Sequence, residues 1–501
     1  MARDPQAALM ALNRFGFGAR GGAAGDLVSA ASDPRGFVKA ELYRPAGVLL
    51  EMPGLRPTTA LAETAFAYQA EIRKAREAAK ANPAEAMAAV EKPAAMEMPE
   101  KPSDNSLAQK MAPNTPAQAN EAAAPAPARP LNVIQKTFRA EALARLQRAV
   151  LAECGFGERL VTFWSNHFCI SASKGPLGRM WAGAFEREAI RPYVFGHFSE
   201  MLMAVEKHPA MLFFLDNQQS LGPDSPAGQT RKRGLNENLA REIMELHTLG
   251  VGGGYTQEDV TSLARIITGW TFAGRRGQLG QPGTAVFNAN AHQPGPQTLL
   301  GKTYEDTGPA QGEAALSDIA RHPSTAKFIA TKFARHFVAD DPPPALTARL
   351  QDVFRKSDGD LLALATALVD SDEAWQAPQT KMRSPYEYLI ATGRLLERIP
   401  DEPTRYLGGL NILGQPLWAP SGPNGFPDTN AAWAAPEGMK LRLDIASDVA
   451  SRLGDNVDPR ELLELMAADA SSPETRRTVE RAESRQQALA LLLMSPEFQR
   501  R

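Results

Sequence analysis

Apolar residues recur at helical spacing along most of the chain. Segments 131–152, 157–168, 180–188, 197–216, 236–249 and 257–270 each show this period, separated by glycine, proline or serine. The period returns over 323–338, 345–356, 361–369, 384–398, 438–452, 459–466 and 485–494, which predicts a helical C-terminal lobe over about 312–501. Only 284–289 and 298–304 read as strands, and on either side of the loop from Asn290 to Pro296 they predict one small β-hairpin. Between 83 and 130 the pattern gives way to alanine, proline, methionine, glutamate and lysine, and no aromatic residue occurs between Tyr68 and Phe138. Such a segment cannot bury enough apolar surface to offset its ordering entropy. The expected fold class is mainly α: a multi-helical globular protein with one small β-hairpin and a disordered Ala/Pro-rich insertion at 83–130. Residues 1–82 hold too few large apolar side chains for a core of their own and are expected to pack as helices on a main body of 131–501.

Composition narrows the functional classes. With 55 basic and 57 acidic residues in 501, the formal charge of −2 removes the electrostatic case for a nucleic-acid partner or an anionic membrane surface. No apolar run reaches the roughly 18 residues that span a bilayer. The start of the chain lacks a basic segment followed by an apolar core, so no secretory signal is read there and a cytoplasmic location is the default expectation. Cys154 and Cys169 are the only cysteines. They are too few for a disulfide framework, and buried thiols are the ordinary state, with a single bridge as the alternative.

The densest chemistry lies in 233–250, where acidic, basic, amide and imidazole groups share one predicted helix. At 100° per residue, Asn238, Arg241, Glu242, Glu245 and Leu249 fall on one side, and His247 falls roughly 140° from Glu242. Glu237, Arg241 and Glu245 are spaced to form a ladder of ion pairs with no functional content. Glu242 has no basic residue three or four positions away, so it is the leading candidate for a general base. Asn236 has the ordinary role of a helix N-cap. No metalloprotease spacing of two histidines and no Glu-x-x-His motif occurs here, so a metal site would need ligands from other segments. His167 lies on an apolar face of its helix and needs a partner there. Asp216 ends an apolar helix, where a negative charge is unfavourable, and either the basic loop 231–233 or a cation is expected to compensate it. The long aperiodic stretch 413–433, with Trp418 and Trp433, has the length of a functional loop.

Several motifs in order resemble a bacterial family known as domain-of-unknown-function family 1800. They are Leu12-Asn13-Arg14-Phe15-Gly16-Phe17-Gly18, Phe163-Trp164-Ser165-Asn166-His167-Phe168, Asn236-Glu237-Asn238-Leu239-Ala240-Arg241-Glu242, Thr268-Gly269-Trp270, Leu413-Gly414-Gln415-Pro416-Leu417-Trp418 and Ser495-Pro496-Glu497-Phe498. The resemblance spans nearly the whole chain and implies no assigned activity. The family's hairpin carries His-Asp, and this chain has His292-Gln293 there, without the carboxylate. The resemblance also implies a shared pathway with a protein of domain-of-unknown-function family 1501, which is similar to alkaline phosphatases and sulfatases and often exported. A periplasmic or envelope location is therefore the alternative to the cytoplasm.

Two functional expectations result. One is a metal-assisted or carboxylate-based hydrolase, with Glu242, His167, Glu245 and Asn238 as catalytic groups and Asp216, His167, Glu242 and His247 as ligands of a divalent metal. The other is a non-enzymatic binding or assembly protein whose polar helix is a structural network and whose loop presents Trp418 and Trp433 to a partner.

Overall fold

The computed structural model describes residues 4–22, 25–81, 130–231 and 234–501. Apart from Pro130, the expected insertion lies outside them. The described chain is mainly helical, with two small antiparallel strand pairs. Among the described residues no helix is long and apolar enough to cross a membrane.

Local chemistry sets most helix boundaries. Val133–Leu151 opens on a capping box of Asn132 and Gln135. Pro323–Phe337 opens on His322, whose ring accepts from Ser324 N, with proline in the first turn. The predicted helix 197–216 divides into Phe198–Glu206 and Pro209–Phe214. Pro209 forces the preceding His208 into an extended conformation, which breaks the ladder.

The strand pairing differs from the expected single hairpin. Strand β1 (Trp270–Phe272) pairs with β2 (Ala285–Phe287), and β3 (Gln297–Leu299) pairs with β4 (Lys302–Tyr304). Segment 298–304 folds back on itself because Leu300 and Gly301 both adopt positive φ, the two-residue turn that suits a twisted hairpin. The partner of β2 begins at Trp270, the last residue the helical period claims, and runs on through Thr271 and Phe272, to which the sequence pattern assigns no element. That helix stops at Ile266, and Gly269, with φ of 85°, turns the chain into β1.

The larger core joins N-terminal residues such as Leu12, Phe15 and Leu61 to body residues from Phe138 to Leu417. Within it Phe337 packs edge-on against Phe156 at 5.5 Å and at a tilt against Phe333 at 5.0 Å. A smaller core joins Leu9, Tyr388, Ala446, Leu463, Leu489 and Phe498. Helices Pro323–Phe337, Pro344–Lys356 and Leu361–Asp370 contribute to the larger core.

Three short stretches, Ala11–Phe15, Glu186–Ile190 and Ile243–His247, are π-helical. In such a turn the hydrogen bonds run from i to i+5, so residues five apart come onto one face. Glu186 and Arg191 show the effect, with Arg191 Nη2 2.9 Å from Glu186 Oε1.

Replacing Phe337, which is fully buried, by alanine is expected to cost about 3–5 kcal/mol in urea denaturation, because the surrounding rings cannot close the cavity.

Candidate functional site

The segment singled out for its chemistry forms the helix Asn238–Glu242 followed by the π turn Ile243–His247. Asn236 Oδ1 accepts from Asn238 N, as a cap does, and its amide donates to the Asp216 carbonyl. The expected ion-pair ladder is present: Arg241 lies 3.1 Å from Glu237 and 3.4 Å from Glu245. Gln257 and Thr261 also donate to Glu237. Asn238 is exposed. Glu242 is half-buried, and among the described residues no side chain pairs with it. Burial pushes its carboxyl above the usual range, against the opposing influence of His247.

His247 does not point away, as regular helical geometry predicts. The π turn sets residue 247 over residue 242 and drives the imidazole into the core, where it is 0 % exposed. Its Nδ1–H donates to Glu206 Oε1 at 2.8 Å, and Glu206 is equally buried. The outer atoms of this pair, His247 Nε2 and Glu206 Oε2, are buried without a hydrogen-bond partner among the described residues.

The His247 carbonyl in turn accepts from His167 Nε2 at 3.0 Å. A carbonyl can only accept, so the His167 hydrogen sits on Nε2 and a lone pair faces outward from Nδ1. Lys332 Nζ donates to that lone pair at 2.9 Å. Burial, with the Lys332 charge beside it, holds the His167 pKa well below its ordinary value, and the ring is neutral. Burial likewise lowers Lys332 to about 8. Cys154 and Cys169 are both free and buried, and burial raises Cys169 to about 12.

The loop 413–433 is tied down along the end of the Phe156–His167 helix. Asn166 grips the Phe426 backbone at two points, donating to its carbonyl at 2.9 Å and accepting from its amide at 2.8 Å. Ser171 Oγ donates to the Pro420 carbonyl. The two tryptophans of this loop turn inward, which corrects the expectation that both face a partner. Trp433 is only 9 % exposed and donates to the Pro427 carbonyl. Trp418, at φ of 50°, is half-buried, donates to Glu186 Oε2 at 3.0 Å and lies against the Arg145 guanidinium. Beneath it a crevice of about 50 Å³, bounded by Arg145, Asn166, Cys169, Glu186 and Tyr386, has room for a few waters.

Asp216 lies apart from the imidazoles in its pairing. Lys174 Nζ sits 2.6 Å from Asp216 Oδ2 and compensates it, while Lys232 and Arg233 of the basic loop expected to do so lie outside the described residues. His167 has both ring nitrogens engaged, and His247 has one. Among the described residues no three His, Cys, Asp or Glu side chains come together to hold a metal ion. The four ligands expected from the sequence therefore do not form one donor set.

Behind His167 stands a second buried network. His336 Nδ1 donates to Asp428 Oδ2 at 2.8 Å, and Arg501 and Lys381 each lie 3.2 Å from Asp428 Oδ1. Arg501 also lies 2.9 Å from Glu387, which Arg159 approaches to 3.2 Å. Burial lowers His336 to about 4, and its Nε2 faces the donor Arg159 at 3.4 Å, as a neutral ring requires. The surrounding guanidinium groups hold Glu387 down at about 2, against the opposing effect of burial.

A family model described as a protein of unknown function (DUF1800) matches residues 10–500. The chain belongs to that family. No curated protein and no solved structure matches it. The site of this DUF1800 protein is thus defined by its own geometry. Three groups in it were not among the residues singled out from the sequence: Glu206, Lys332 and Asp428. Glu206 carries a weak signal, as a carboxylate that follows the apolar run Met201 to Val205 at the end of its helix. Lys332 and Asp428 carry none, because each reads locally as an ordinary surface charge.

The second network contributes to the acid sensitivity of the fold, together with the buried His167. His336 binds its proton less well folded, at about 4, than at its ordinary 6.5. The unfolded chain therefore takes up more protons between these values, and stability falls as pH falls through that window. Glu387 adds stability that is full above its ordinary 4.5 and is lost as pH drops toward about 2. The melting temperature is expected to fall by several degrees between pH 6.5 and 4 in differential scanning calorimetry.

Proposed function

We propose that this DUF1800 protein is a hydrolase that works by carboxylate acid–base chemistry, with Glu242 as the general base. The observation that carries the reading is the state of Glu242: a half-buried carboxylate with raised proton affinity and no partner among the described residues, on a helix whose other carboxylates are paired. A carboxylate in that state takes a proton from water more readily than an exposed, ion-paired one. The buried Glu206–His247 pair behind it supplies a fixed charge and a fixed ring, and Tyr255, close to Glu245, supplies a neutral hydroxyl at the edge of the helix. The carboxylate form is favoured over the metal-assisted form because the proposed ligands are engaged elsewhere, Asp216 with Lys174 and His167 with Lys332.

A second reading, a binding or assembly protein, draws on the Glu237–Arg241–Glu245 ladder and its bonds to Gln257 and Thr261, which account for that face without catalysis. Glu242→Gln separates the two. Screened against chromogenic esters, phosphates and glycosides, the hydrolase reading expects any activity of the parent to fall by about 10²–10⁴ in kcat, with the melting temperature unchanged or slightly raised. A fall of several degrees with activity retained would favour the structural network. Glu237→Gln serves as the control that loosens the ladder without touching the proposed base.

A further inference from the structure

Lys332 differs from the other buried or half-buried lysines among the described residues. Lys39, Lys207 and Lys381 each lie within 3 Å of a carboxylate oxygen. The only hydrogen bond Lys332 makes among the described residues is to the neutral ring of His167, and its Nζ lies 5.2 Å from the centre of the Phe328 ring. The other groups turned toward it are the protonated Cys169 thiol, Asp428 at longer range, and Arg335 on its own helix, whose positive charge opposes that of the ammonium. An ammonium placed among an imidazole lone pair, a phenyl ring and a thiol has lost water and gained no counter-charge, which favours the free amine. The His167 tautomer is fixed from behind by the His247 carbonyl, so a proton acceptor always faces the nitrogen. Side chains of this kind are the ones proteins use as amine nucleophiles.

We propose that Lys332, with His167 as its proton relay, is a nucleophilic amine that condenses with small aldehydes. In the condensation the Nζ lone pair forms a bond to the carbonyl carbon as the C=O π pair moves to oxygen. The surplus N–H proton passes through His167 Nδ1 to that oxygen, giving a carbinolamine. The nitrogen lone pair then forms the C=N bond, and the hydroxyl leaves as water with a second proton delivered from the nitrogen by the same ring. The balance is one aldehyde and one amine to one imine and one water, with no redox partner. Lys332 is partly buried, which limits the ligand to a small carbonyl compound. The site stands independently of any role for Glu242.

The test uses the full chain with propanal and cyanoborohydride at pH 7, followed by peptide mapping. An amine near pKa 8 is free in about one molecule in ten at that pH, and an ordinary lysine in about one in 2,500. Allowing for restricted access, alkylation of Lys332 is expected to run at least about tenfold faster than that of the exposed Lys440. Its rate should rise with pH to a midpoint near 8. His167→Gln should slow labelling at Lys332 while leaving Lys440 unchanged. Should that variant not fold, the pH profile of the parent decides alone. Labelling no faster than at Lys440, or a midpoint above 10, overturns the proposal.

Discussion

Buried guanidinium groups are the constraint on which the rest of the structure depends. Arg14, Arg159, Arg191, Arg383, Arg394, Arg442 and Arg501 are all fully buried. Each presents five donors and keeps its charge at neutral pH, so the fold is stable only where acceptors surround it. Some acceptors are carboxylates, as where Arg191 bridges Glu158 and Glu186. Others are the orphan carbonyls at helix ends. Arg394 donates to Ala149 and Val150 at the close of Val133–Leu151 and to the Gly18 carbonyl from the N-terminal region. Arg383 joins Asn13 to the Phe498 carbonyl, and Arg442 joins Gln499 to the backbone of Arg383. Chain segments hundreds of residues apart are thereby fixed to one another by directional bonds, which apolar packing alone does not supply.

The helical plan was legible because amphipathic periodicity and capping are local. Asn132 with Gln135, and Thr256 with Asp259, carry their boundaries in four residues. The strand pairing was not, since β2 could be recognised as a strand while its three-residue partner, Trp270–Phe272, begins on the last residue of a predicted helix and is too short to show an alternating pattern. The positive φ at Leu300 had no signal in a residue type that rarely adopts it.

The site followed the same division. The lack of a local partner for Glu242 was legible from spacing, and so was the ladder through Arg241. The inward turn of the loop tryptophans was not, because the partners of Trp418, namely Arg145 and Glu186, lie more than two hundred residues away. The Lys332–His167 contact spans 165 residues and lies wholly in the tertiary structure.

The misplacement of His247 has a different cause, and it carries a consequence. A π turn holds one more residue than the α turn it replaces. Shortening Ile243–His247 by one residue would leave an unbroken helix of good propensity, with its apolar stripe still recognisable. Yet it would swing the imidazole out of register with Glu206 and leave that carboxylate alone in the core. The surplus residue thus acts as a frame marker: losing it would cost the pair even with every other residue unchanged.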